Sequence, residues 1–382
     1  MINKILHFID VIRPGGGPSG YLYNLKNTEE GHDYFVYSVS RSDARSGQYN
    51  KKKFPIFLLR HILAITYIIR LLGLKKIPNE NIINKYKYTL VHSVPMASRL
   101  LKVKNKEINL GLMYHGPVSY STEVMDNLVL GYGGFLSKTF YKRVLQYLEN
   151  RVYNKMDFIV TAAKEGLSAY TDIKVDYSDK LFEVTTGLPE IKSNLSKVEA
   201  RDLVGLPQTK MVVGYFGRYH SHKGYDIYRQ EIDLLSARDD ILFVSAGVGP
   251  LNVVSYNNYI NFGWRTDIQN LIIACDIVVL PNRYTYFDLL PLECLSLSRP
   301  VAISRTGGNL KLERLCPVAF GFDMREGELS KLISWYVERS KEEKLQYEEN
   351  ARSSFDTYFD EFSFSKNHDE LYLALEKFFS KE

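Results

Sequence analysis

The sequence predicts an α/β protein of two domains, each built on a parallel β-sheet flanked by helices. A length of 382 residues exceeds what one ordinary hydrophobic core accommodates, which indicates two domains. Short apolar runs typical of buried strands alternate with helical stretches, as they do in parallel sheets. Glycine or polar residues directly follow several of these runs. Because open α/β sheets bind ligands beyond the carboxyl ends of their strands, these positions are the first candidates for a functional site.

Composition narrows the possible classes of function. Hydrophobic residues make up 45% of the chain and charged residues 24%, values typical of a soluble globular protein. The net charge of +5 is too modest to indicate a nucleic-acid partner. Cys275, Cys294 and Cys316 lie far apart in apolar surroundings, which favours reduced, buried thiols. The segment Met1–Phe8 is typical of a strand and lacks the features of a signal peptide, so we expect a cytoplasmic protein.

A basic loop follows the apolar run Met211–Phe216, which is typical of a buried strand. Gly217 lets the backbone turn there, and Gly224 closes the loop. Arg218 and Lys223 lie between them. An arginine can hold a phosphate through two parallel hydrogen bonds, and a lysine adds a point charge beside it. The loop is therefore a candidate diphosphate site, although its local sequence fits a solvated basic turn equally well.

A second motif decides between these interpretations. The segment Thr285–Pro300 reads TYFDLLPLECLSLSRP. Together with the basic loop, it resembles the retaining glycosyltransferases of the GT-B fold, in particular the large family 4. The matching pieces stand in the family's order and spacing: Gly217-Arg218-x4-Lys223-Gly224, Phe287-x-Leu289-x-Pro291-Leu292-Glu293, Arg299-Pro300-Val301 and Gly307-Gly308. No single piece is specific, but the combination is, and the resemblance covers nearly the whole chain.

The resemblance implies a GT-B fold, in which two Rossmann-like domains face each other across a cleft. The N-terminal, acceptor-side domain is then residues 1–190, and the C-terminal, nucleotide-sugar-binding domain is residues 191–362. The polar stretch Glu190–Glu199 is the expected linker. The C-terminal helix, residues 363–382, is expected to cross back onto the first domain.

The resemblance also gives the basic loop a chemical role. When the bond between a sugar and a nucleoside diphosphate breaks, negative charge grows on the phosphate, and fixed cations stabilise it. We assign Arg218 and Lys223 to this role. No Asp-x-Asp occurs in the chain, so we expect the two cations to take the place of a divalent metal, with no cofactor.

Further residues are expected to bind the sugar donor. Glu293 matches the glutamate that holds the ribose diol, although the helix dipole also favours a glutamate at a helix N-terminus. Backbone N–H groups from Phe287 to Leu290 are expected to hold the sugar and phosphate, and Phe262 is expected to border the base. The remaining expected contacts to the sugar donor are Gly15, Gly16, Gly17, Gly249, Thr285, Asp288 and Leu289.

Two of these positions depart from the family pattern. Thr285 stands where the family has the first glutamate of Glu-x7-Glu, and Asp288 stands where it has a small glycine. That first glutamate normally bonds hydroxyls of the donor sugar. We therefore expect either an unusual sugar donor, with Asp288 supplying the missing carboxylate, or a site that has lost activity.

The glycine cluster Gly15-Gly16-Gly17 lies between a predicted strand, Lys4–Val11, and a predicted helix, Tyr21–Lys26. Glycines at such a junction allow a backbone to approach a phosphate or sugar closely. The cluster is not G-x-G-x-x-G, so a dinucleotide site is not supported, and a flexible turn is the alternative. In the family, a Gly-Gly loop at this place faces the donor's phosphates and sugar, which favours the functional interpretation.

Histidines lie at the ends of two further strand-like runs. His115-Gly116 matches a family motif that contacts the donor sugar and the acceptor side. We expect His115 to orient sugar or acceptor and do not assign it as a base. A lone histidine is more often structural, and we interpret His92 and His7 in that way.

The segment 51–76 is strongly basic and contains no acidic residue. Its apolar residues recur at roughly helical spacing, and Arg60 and Arg70 make it a poor transmembrane helix. A basic amphipathic helix suits the surface of an anionic membrane. The alternative is an ordinary domain helix whose apolar face lies in the core.

These observations predict a metal-independent, retaining hexosyltransferase that moves a sugar from a nucleotide donor, such as a UDP-sugar, to a glycan or glycolipid acceptor. We expect it to act in bacterial capsule or other surface polysaccharide synthesis, as a cytoplasmic protein peripheral to the inner face of the membrane. One alternative is a catalytically degenerate GT-B subunit that binds glycan or stabilises a partner. A sugar-nucleotide epimerase is disfavoured, because the first domain shows no pair of acid/base carboxylates. The sequence leaves open the donor sugar, base, acceptor, linkage and oligomeric state.

Overall fold

The computed structural model describes residues 2–28, 35–38, 56–132 and 138–380. The chain divides into two compact units, the first formed by Met1–Thr185 with Ser365–Glu382 and the second by Thr186–Phe364. Within the described ranges each unit contains one six-stranded sheet, and all recorded strand pairs are parallel.

The sheet of the first unit has the strand order β2-β1-β3-β4-β5-β6. Its strands are β1 (Ile2–Ile9), β2 (Phe35–Ser38), β3 (Tyr86–Val91), β4 (Asn109–Leu112), β5 (Phe158–Thr161) and β6 (Leu181–Glu183). The chain first builds outward from β1 to β2 and then continues on the other side of β1 with β3. The point where the strand order reverses therefore lies between β1 and β3, and ligands bind at such points in open α/β sheets.

Among the described residues of this unit, five helices and most of a sixth accompany the sheet. They are α1 (Gly17–Lys26), α2 (Ile56–Leu71), α3 (Val94–Leu100), α4 (Tyr120–Tyr132), α5 (Lys138–Lys155) and the C-terminal α13 (Glu361–Phe379). Leu110 and Ile159 of the sheet belong to the same buried cluster as Ala64 of α2 and Leu145 of α5. Burial of these apolar side chains holds the helices against the sheet.

The C-terminal segment Ser365–Glu382 groups with the first unit. Leu371 and Leu375 of α13 are buried, and the ring of Phe379 lies edge-on to that of Phe158 in β5, with centroids 6.3 Å apart. In the same last turn of α13, Glu376 forms an ion pair of 2.7 Å with Lys87 of β3. The last helix is thus an integral layer of the first unit.

The sheet of the second unit has the order β12-β11-β10-β7-β8-β9. Its strands are β7 (Met211–Phe216), β8 (Ile241–Ala246), β9 (Tyr259–Asn261), β10 (Ile277–Leu280), β11 (Val301–Ser304) and β12 (Ala319–Phe322). This is the doubly wound order of Rossmann sheets, and its reversal point lies between β7 and β10. Every residue of β7, β8, β10 and β11 is buried, as expected for a parallel sheet covered on both faces.

The helices of the second unit connect these strands. They are α6 (Lys197–Val204), α7 (Tyr225–Leu234), α8 (Ile268–Ala274), α9 (Leu290–Ser296), α10 (Asn309–Leu315), α11 (Glu328–Val337) and α12 (Lys341–Tyr358). Short 3-10 helices span Glu80–Lys85, Lys164–Ala169, Ser178–Lys180 and Ser221–Lys223. A capping box formed by Ser196 and Glu199 begins α6 within the predicted linker, Glu190–Glu199, and it satisfies backbone N–H groups that the helix leaves unpaired.

The three cysteines are reduced and buried, as expected from their apolar surroundings. Burial raises the pKa of the Cys316 thiol to about 12, which makes it a poor nucleophile at neutral pH. Among the described residues, no helix combines the length and apolar character needed to cross a bilayer.

The backbone contact between Gly224 and Pro281, which joins two loops of the second unit, can be tested by substitution of the glycine. Its φ is +68°, and a methyl group there would lie 1.8 Å from the carbonyl oxygen of Pro281. Gly205 has a similar φ of +73°, but nothing lies within 4 Å of such a methyl group. We expect Gly205→Ala to cost about 1 kcal/mol, and Gly224→Ala to cost about 1–3 kcal/mol more through overpacking.

The measurement is denaturant unfolding followed by tryptophan fluorescence, because Trp264 and Trp335 both lie in the second unit. Equal destabilisation by the two substitutions would show that the loops separate easily and that the close contact does not fix them.

Candidate functional site

The candidate site of the second unit lies at the carboxyl ends of β7 and β10. The predicted cations Arg218 and Lys223 follow β7, and the predicted carboxylates Asp288 and Glu293 follow β10. These two strands are neighbours in the sheet, although many residues separate them in the chain. The fold therefore brings both sequence motifs to the one place where a doubly wound sheet binds its ligand.

Arg283 joins the two loops. Its Nη1 donates a hydrogen bond of 2.6 Å to the carbonyl of Ser221, and its Nη2 forms an ion pair of 2.7 Å with Asp226. The close approach of Gly224 to the Pro281 carbonyl adds a backbone contact beside this pair. Two loops held in this way present their side chains in a fixed geometry, which catalysis by charge stabilisation requires.

Lys223 contacts a carboxylate across the two loops. Its Nζ lies 2.6 Å from Oδ2 of Asp288, and the same oxygen accepts a hydrogen bond of 2.7 Å from Nδ2 of Asn282. The side chains of Lys223 and Asp288 are 38% and 26% exposed, so solvent or a ligand can reach both. A diphosphate placed here would compete with Asp288 for Lys223.

Arg218 differs from Lys223 in its surroundings. Its side chain is exposed, and in the described part of the chain no carboxylate lies within ion-pair distance of it. The Tyr215 hydroxyl donates to the carbonyl oxygens of Arg218 and Lys223, at 2.8 and 3.3 Å. One buried tyrosine thus fixes the backbone of both cationic residues while leaving the arginine head group able to meet an anion.

Glu293 lies in the first turn of α9 and is partly buried. Burial is the main reason that its carboxyl pKa is raised, and the nearby negative charge of Asp288 adds to the effect. No hydrogen bond or ion pair to this carboxylate is found among the described residues. A desolvated carboxylate without a protein partner is suited to accept hydrogen bonds from a pair of hydroxyls.

Thr285 occupies the position at which the family pattern has a glutamate, and it is only 1% exposed. In the part of the chain that the structure describes, its hydroxyl has no hydrogen-bond partner. Its carbonyl accepts a hydrogen bond of 3.2 Å from the Gly308 N–H, and a methyl group on Gly307 would lie 2.0 Å from that carbonyl. The Gly-Gly turn therefore packs backbone against backbone on the Thr285 segment.

The other residues of the second unit that are predicted to contact the donor lie on the same edge. Phe287 is buried with its ring 6.3 Å from that of Phe359, and the carbonyl of Leu289 accepts a hydrogen bond of 3.0 Å from the Glu293 N–H at the start of α9, where Leu290 is the first residue. Gly249 is exposed after β8, and Phe262 is partly buried after β9. The guanidinium carbon of Arg265 lies 5.6 Å from the centroid of the Phe262 ring.

The glycine loop of the first unit follows β1. Gly15, Gly16 and Gly17 are exposed, and nothing lies within 4 Å of a methyl group built on any of them. Gly15 and Gly17 have φ values of +121° and +69°, which side chains rarely adopt. The loop therefore offers open backbone at the carboxyl edge of the first sheet.

His115 lies at the carboxyl edge of the first sheet as one end of a row of histidines. Its Nε2 is 2.8 Å from Nδ1 of His92, and Nε2 of His92 is 3.1 Å from Nδ1 of His7. The ring of His368, from α13, lies 5.0 Å from that of His7, and its Nε2 is 2.8 Å from the Tyr21 hydroxyl. Burial lowers the pKa of His7 and of His115 to about 3, so these imidazoles are neutral at neutral pH.

Sequence reasoning did not identify this row, nor the role of Asn282. We interpret His7 and His92 from the sequence as structural residues, and their burial agrees with that interpretation. One feature of the sequence does indicate the row: three strand-like runs of one domain carry a histidine at or near their carboxyl ends. Within the residues that the structure describes, no three His, Cys, Asp or Glu side chains are grouped so that they could hold a metal ion.

Residues 210–314, which contain the site of the second unit, match the family model described as glycosyl transferases group 1. The chain is 29% identical over 126 residues to the lipopolysaccharide core biosynthesis mannosyltransferase LpsB of Rhizobium meliloti, which covers 29% of this chain and 36% of LpsB. It is 24% identical over 182 residues to D-inositol 3-phosphate glycosyltransferase of Stackebrandtia nassauensis, which covers 42% of this chain and 41% of that protein. The chain thus spans about two fifths of the length of these curated relatives.

Solved structures resemble the whole chain. HepE of Anabaena in complex with UDP-glucose matches with a TM-score of 0.64 and 16% identity, covering 97% of this chain and 99% of HepE. Sucrose-phosphate synthase of Thermosynechococcus elongatus matches with a TM-score of 0.66 and 15% identity, covering 99% and 100%. WaaG, a glycosyltransferase involved in lipopolysaccharide biosynthesis, matches with a TM-score of 0.58 and 13% identity, covering 96% and 98%. These matches confirm the predicted fold class, GT-B with two Rossmann-like domains.

The buried histidines predict an acid-sensitive first unit. In the unfolded chain a histidine binds a proton below its ordinary pKa of 6.5, whereas folded His7 and His115 do so only near pH 3. Between these two pKa values, unfolding is accompanied by proton uptake, so the free energy of unfolding decreases as the pH falls. Between about pH 6.5 and about pH 5 we expect a loss of up to about 2 kcal/mol for each of the two histidines.

Urea unfolding followed by circular dichroism at several pH values measures this loss. His7→Gln should reduce the pH dependence. The control His61→Gln changes a histidine that is only partly buried and contacts the Tyr141 hydroxyl, and it should leave the pH dependence as it is. Stability that does not change between these pH values would contradict the neutral, buried state of the row.

Proposed function

We propose that this chain is a retaining, metal-independent glycosyltransferase of the hexosyltransferase type. It takes a sugar from a nucleotide donor, most simply a UDP-sugar, and transfers it to a glycan or lipid-linked glycan in bacterial cell-surface polysaccharide synthesis. The observation that carries the proposal is the arrangement at the reversal point of the second sheet. There, Arg218 and Lys223 on one loop lie on the same edge as the carboxylates of Asp288 and Glu293 on the other.

The relatives support the same class of reaction. LpsB and WaaG carry names that place them in lipopolysaccharide synthesis. A galactosyltransferase of Escherichia coli, 28% identical over 120 residues, is named for a UDP-galactose donor and a diphosphoundecaprenol-linked acceptor. HepE has been solved with UDP and with UDP-glucose. A sugar nucleotide as donor and a surface glycan as acceptor are therefore the substrates we propose.

The diphosphate of the donor is the leaving group. As the glycosidic bond breaks, Arg218 and Lys223 stabilise the charge that develops on the phosphate. In the structure, Lys223 is paired with Asp288. When the donor binds, its phosphate replaces the Asp288 carboxylate as the partner of Lys223. Asp288, which remains hydrogen-bonded to Asn282, then accepts a hydrogen bond from a hydroxyl of the sugar.

Glu293 holds the nucleoside. Its carboxylate has two oxygens that can each accept a hydrogen bond from one hydroxyl of a ribose diol, a role that its lack of a partner among the described residues favours. Phe262 and Gly249 border the base and the phosphates from the neighbouring strands. His115 orients the sugar or the acceptor as a neutral imidazole.

We propose retention because the basic loop and the Glu293 segment resemble those of the retaining glycosyltransferases. A front-face attack assisted by the leaving phosphate needs no protein nucleophile, and the proposed set of residues contains none. The acceptor hydroxyl attacks the face of the sugar from which the diphosphate leaves, and the leaving phosphate takes the proton. The chain contributes position and charge, and the two cations do the work that a divalent metal bridging the diphosphate would do.

A catalytically degenerate binding subunit is the second candidate. The observation that favours it is the buried hydroxyl of Thr285, which has no hydrogen-bond partner among the described residues and stands where the family pattern has a glutamate. Such a protein would keep the GT-B scaffold and the nucleotide contacts but would not transfer sugar. Turnover of the sugar donor separates the two candidates.

We further propose that helix α2 places the enzyme at an anionic membrane surface on the cytoplasmic face. Ile62, Ile65 and Ile69 project from one side of α2 and are 41%, 47% and 42% exposed, while Ala64 and Leu71 pack into the core. An exposed apolar ridge beside basic residues suits the interface of a bilayer. Residues 51–55, which carry Lys51, Lys52 and Lys53 of the predicted basic segment, lie outside the described residues.

A screen of UDP-, GDP- and dTDP-sugars in the presence of EDTA tests the proposed reaction. One donor, expected to be a UDP-sugar, should raise the melting temperature, and its nucleoside diphosphate should be released slowly. Lys223→Ala should lower this turnover by about 100-fold or more, because one preorganised charge is lost from the leaving group. Lys331→Ala, at an exposed lysine of α11, is the matched control and should leave turnover unchanged.

Each other outcome has a defined meaning. Turnover that survives Lys223→Ala would remove the diphosphate role of this lysine, and turnover that returns only with Mg²⁺ would contradict the metal-independent mechanism. Binding of a donor without any turnover would favour the degenerate subunit.

The membrane proposal predicts that Ile62→Ser, Ile65→Ser and Ile69→Ser, made together, weaken binding to vesicles that contain anionic lipid. The expected loss is about tenfold or more, because each side chain contributes about 1 kcal/mol when its exposed part is buried. Co-sedimentation measures the loss. A control with Leu203, Leu234 and Leu345 changed to Ser, which are 61%, 51% and 50% exposed in the second unit, should bind as the parent does. Equal binding by both triple variants would leave α2 as an ordinary domain helix.

A further inference from the structure

A second basic site lies in the first unit, in a cavity of about 690 Å³. Asp10, directly after β1, and Ser93, shortly after β3, both line it. These are the two strands between which the order of the first sheet reverses, so the cavity occupies the position at which such a sheet binds a ligand. The donor chemistry proposed above uses Arg218, Lys223 and Glu293 of the second unit and does not account for this cavity.

The cavity carries a strong excess of positive charge. Its lining contains Arg70, Lys75, Lys76 and Arg99, and a single acidic side chain, that of Asp10. Arg99 is paired with Glu80, to which its Nε donates a hydrogen bond of 2.7 Å. In the part of the chain that the structure describes, no ion pair involves the other three cations, and their side chains are exposed. The negative charge of Asp10 acts on Arg70 and Lys75, and that of Glu80 acts on Lys76. Four cations against these two carboxylates still leave an excess of positive charge, which a bound anion would offset.

The walls beside these cations are aromatic. Tyr67 and Tyr120 both line the cavity, with ring centroids 6.5 Å apart in an edge-to-face arrangement. The guanidinium carbon of Arg70 lies 5.8 Å from the centroid of the Tyr67 ring, a contact that steadies the arginine head group. The cavity thus combines cations held in place with a surface suited to the apolar or sugar part of a ligand.

We propose that this cavity binds a phosphate or diphosphate group carried by the acceptor. The inference rests on the proposed function, since only a transferase has an acceptor, and it names the acceptor's chemical class. Arginine and lysine together are the usual side chains for phosphate recognition. A neutral sugar would instead require carboxylate and amide groups, of which the cavity offers little.

The cavity shares helix α2 with the exposed isoleucine ridge. Arg70 directly follows Ile69 in the sequence, and Lys75 and Lys76 follow the end of the helix. The headgroup phosphate of a membrane lipid would therefore lie near the cavity when the isoleucine ridge of α2 contacts the bilayer. A soluble phosphorylated acceptor presents the same group, and the experiment separates these two sources.

Titration calorimetry with inorganic pyrophosphate tests the site directly. The parent protein carries Arg218→Gln and Lys223→Gln, so that the loop assigned to the sugar donor does not compete. Adding Arg70→Gln and Lys75→Gln should weaken pyrophosphate binding by about tenfold or more for each charge-assisted hydrogen bond lost. Lys102→Gln and Lys106→Gln remove the same charge from exposed lysines of the first unit outside the cavity, and this control should bind as the parent does.

Two further measurements strengthen the test. Arg70→Lys and Lys75→Arg keep the charge and should retain most of the binding, which excludes a folding defect as the cause of the loss. In the chain with an intact loop for the sugar donor, Arg70→Gln with Lys75→Gln should leave hydrolysis of the sugar donor unchanged and raise the KM for acceptor.

Vesicles of phosphatidylcholine with and without polyprenyl phosphate identify the source. Loss of both pyrophosphate binding and polyprenyl-phosphate binding in the cavity variant supports a lipid headgroup. Loss of pyrophosphate binding alone supports a soluble phosphorylated acceptor. Pyrophosphate binding that is absent from the parent, or equal in the parent and the cavity variant, overturns the proposal. Because no step of this titration depends on the sugar donor, its result is independent of whether the chain turns over a nucleotide sugar.

Discussion

A backbone contact at the carboxyl edge of the second sheet determines where the candidate catalytic groups lie. Gly224 packs against the carbonyl of Pro281 so closely that no side chain fits between them, and Arg283 ties the same two loops through Ser221 and Asp226. Only with the loops at this separation do Lys223 and Asp288 meet. The site thus combines one exposed arginine, one paired lysine and a desolvated carboxylate on Glu293. This arrangement is fixed because the two loops cannot move apart without losing several contacts at once.

The two units use the same architectural position for different chemistry. In each, the strand order reverses beside the first strand of its sheet, between β1 and β3 in one and between β7 and β10 in the other. The second unit fills that position with cations and carboxylates that are partly neutralised by each other. The first unit fills it with uncharged histidines and, nearby, with a cavity in which cations outnumber carboxylates. An excess of positive charge favours a ligand of negative charge, while the neutral imidazoles suit contacts with hydroxyl groups.

Much of this organisation could be predicted from the sequence, because it depends on local patterns. The strand Met211–Phe216 was predicted with the bounds that the structure gives, and the spacing of Arg218, Lys223 and Glu293 indicated the fold class. What could not be predicted depends on pairing between distant segments. The contact between Lys223 and Asp288 requires β7 and β10 to be neighbours, and the histidine row requires the order β1-β3-β4 together with α13. For α2, helical spacing predicted an amphipathic helix, but only packing decides that Ala64 is buried and Ile65 is exposed.

The histidine row has a consequence for the hydrogen bonds that His115 can make. A neutral imidazole carries one N–H and one bare nitrogen, so in a hydrogen-bonded row the choice of tautomer in one ring dictates the others. If His115 donates from Nε2 to His92, then His92 donates to His7, and Nδ1 of His115 is an acceptor. If His7 donates to His92 instead, every bond reverses and Nδ1 of His115 becomes a donor. The tautomer of His7, at the other end of the row in the core of the first unit, therefore determines whether Nδ1 of His115 donates or accepts a hydrogen bond. A hydroxyl that binds beside His115 has to take the complementary role.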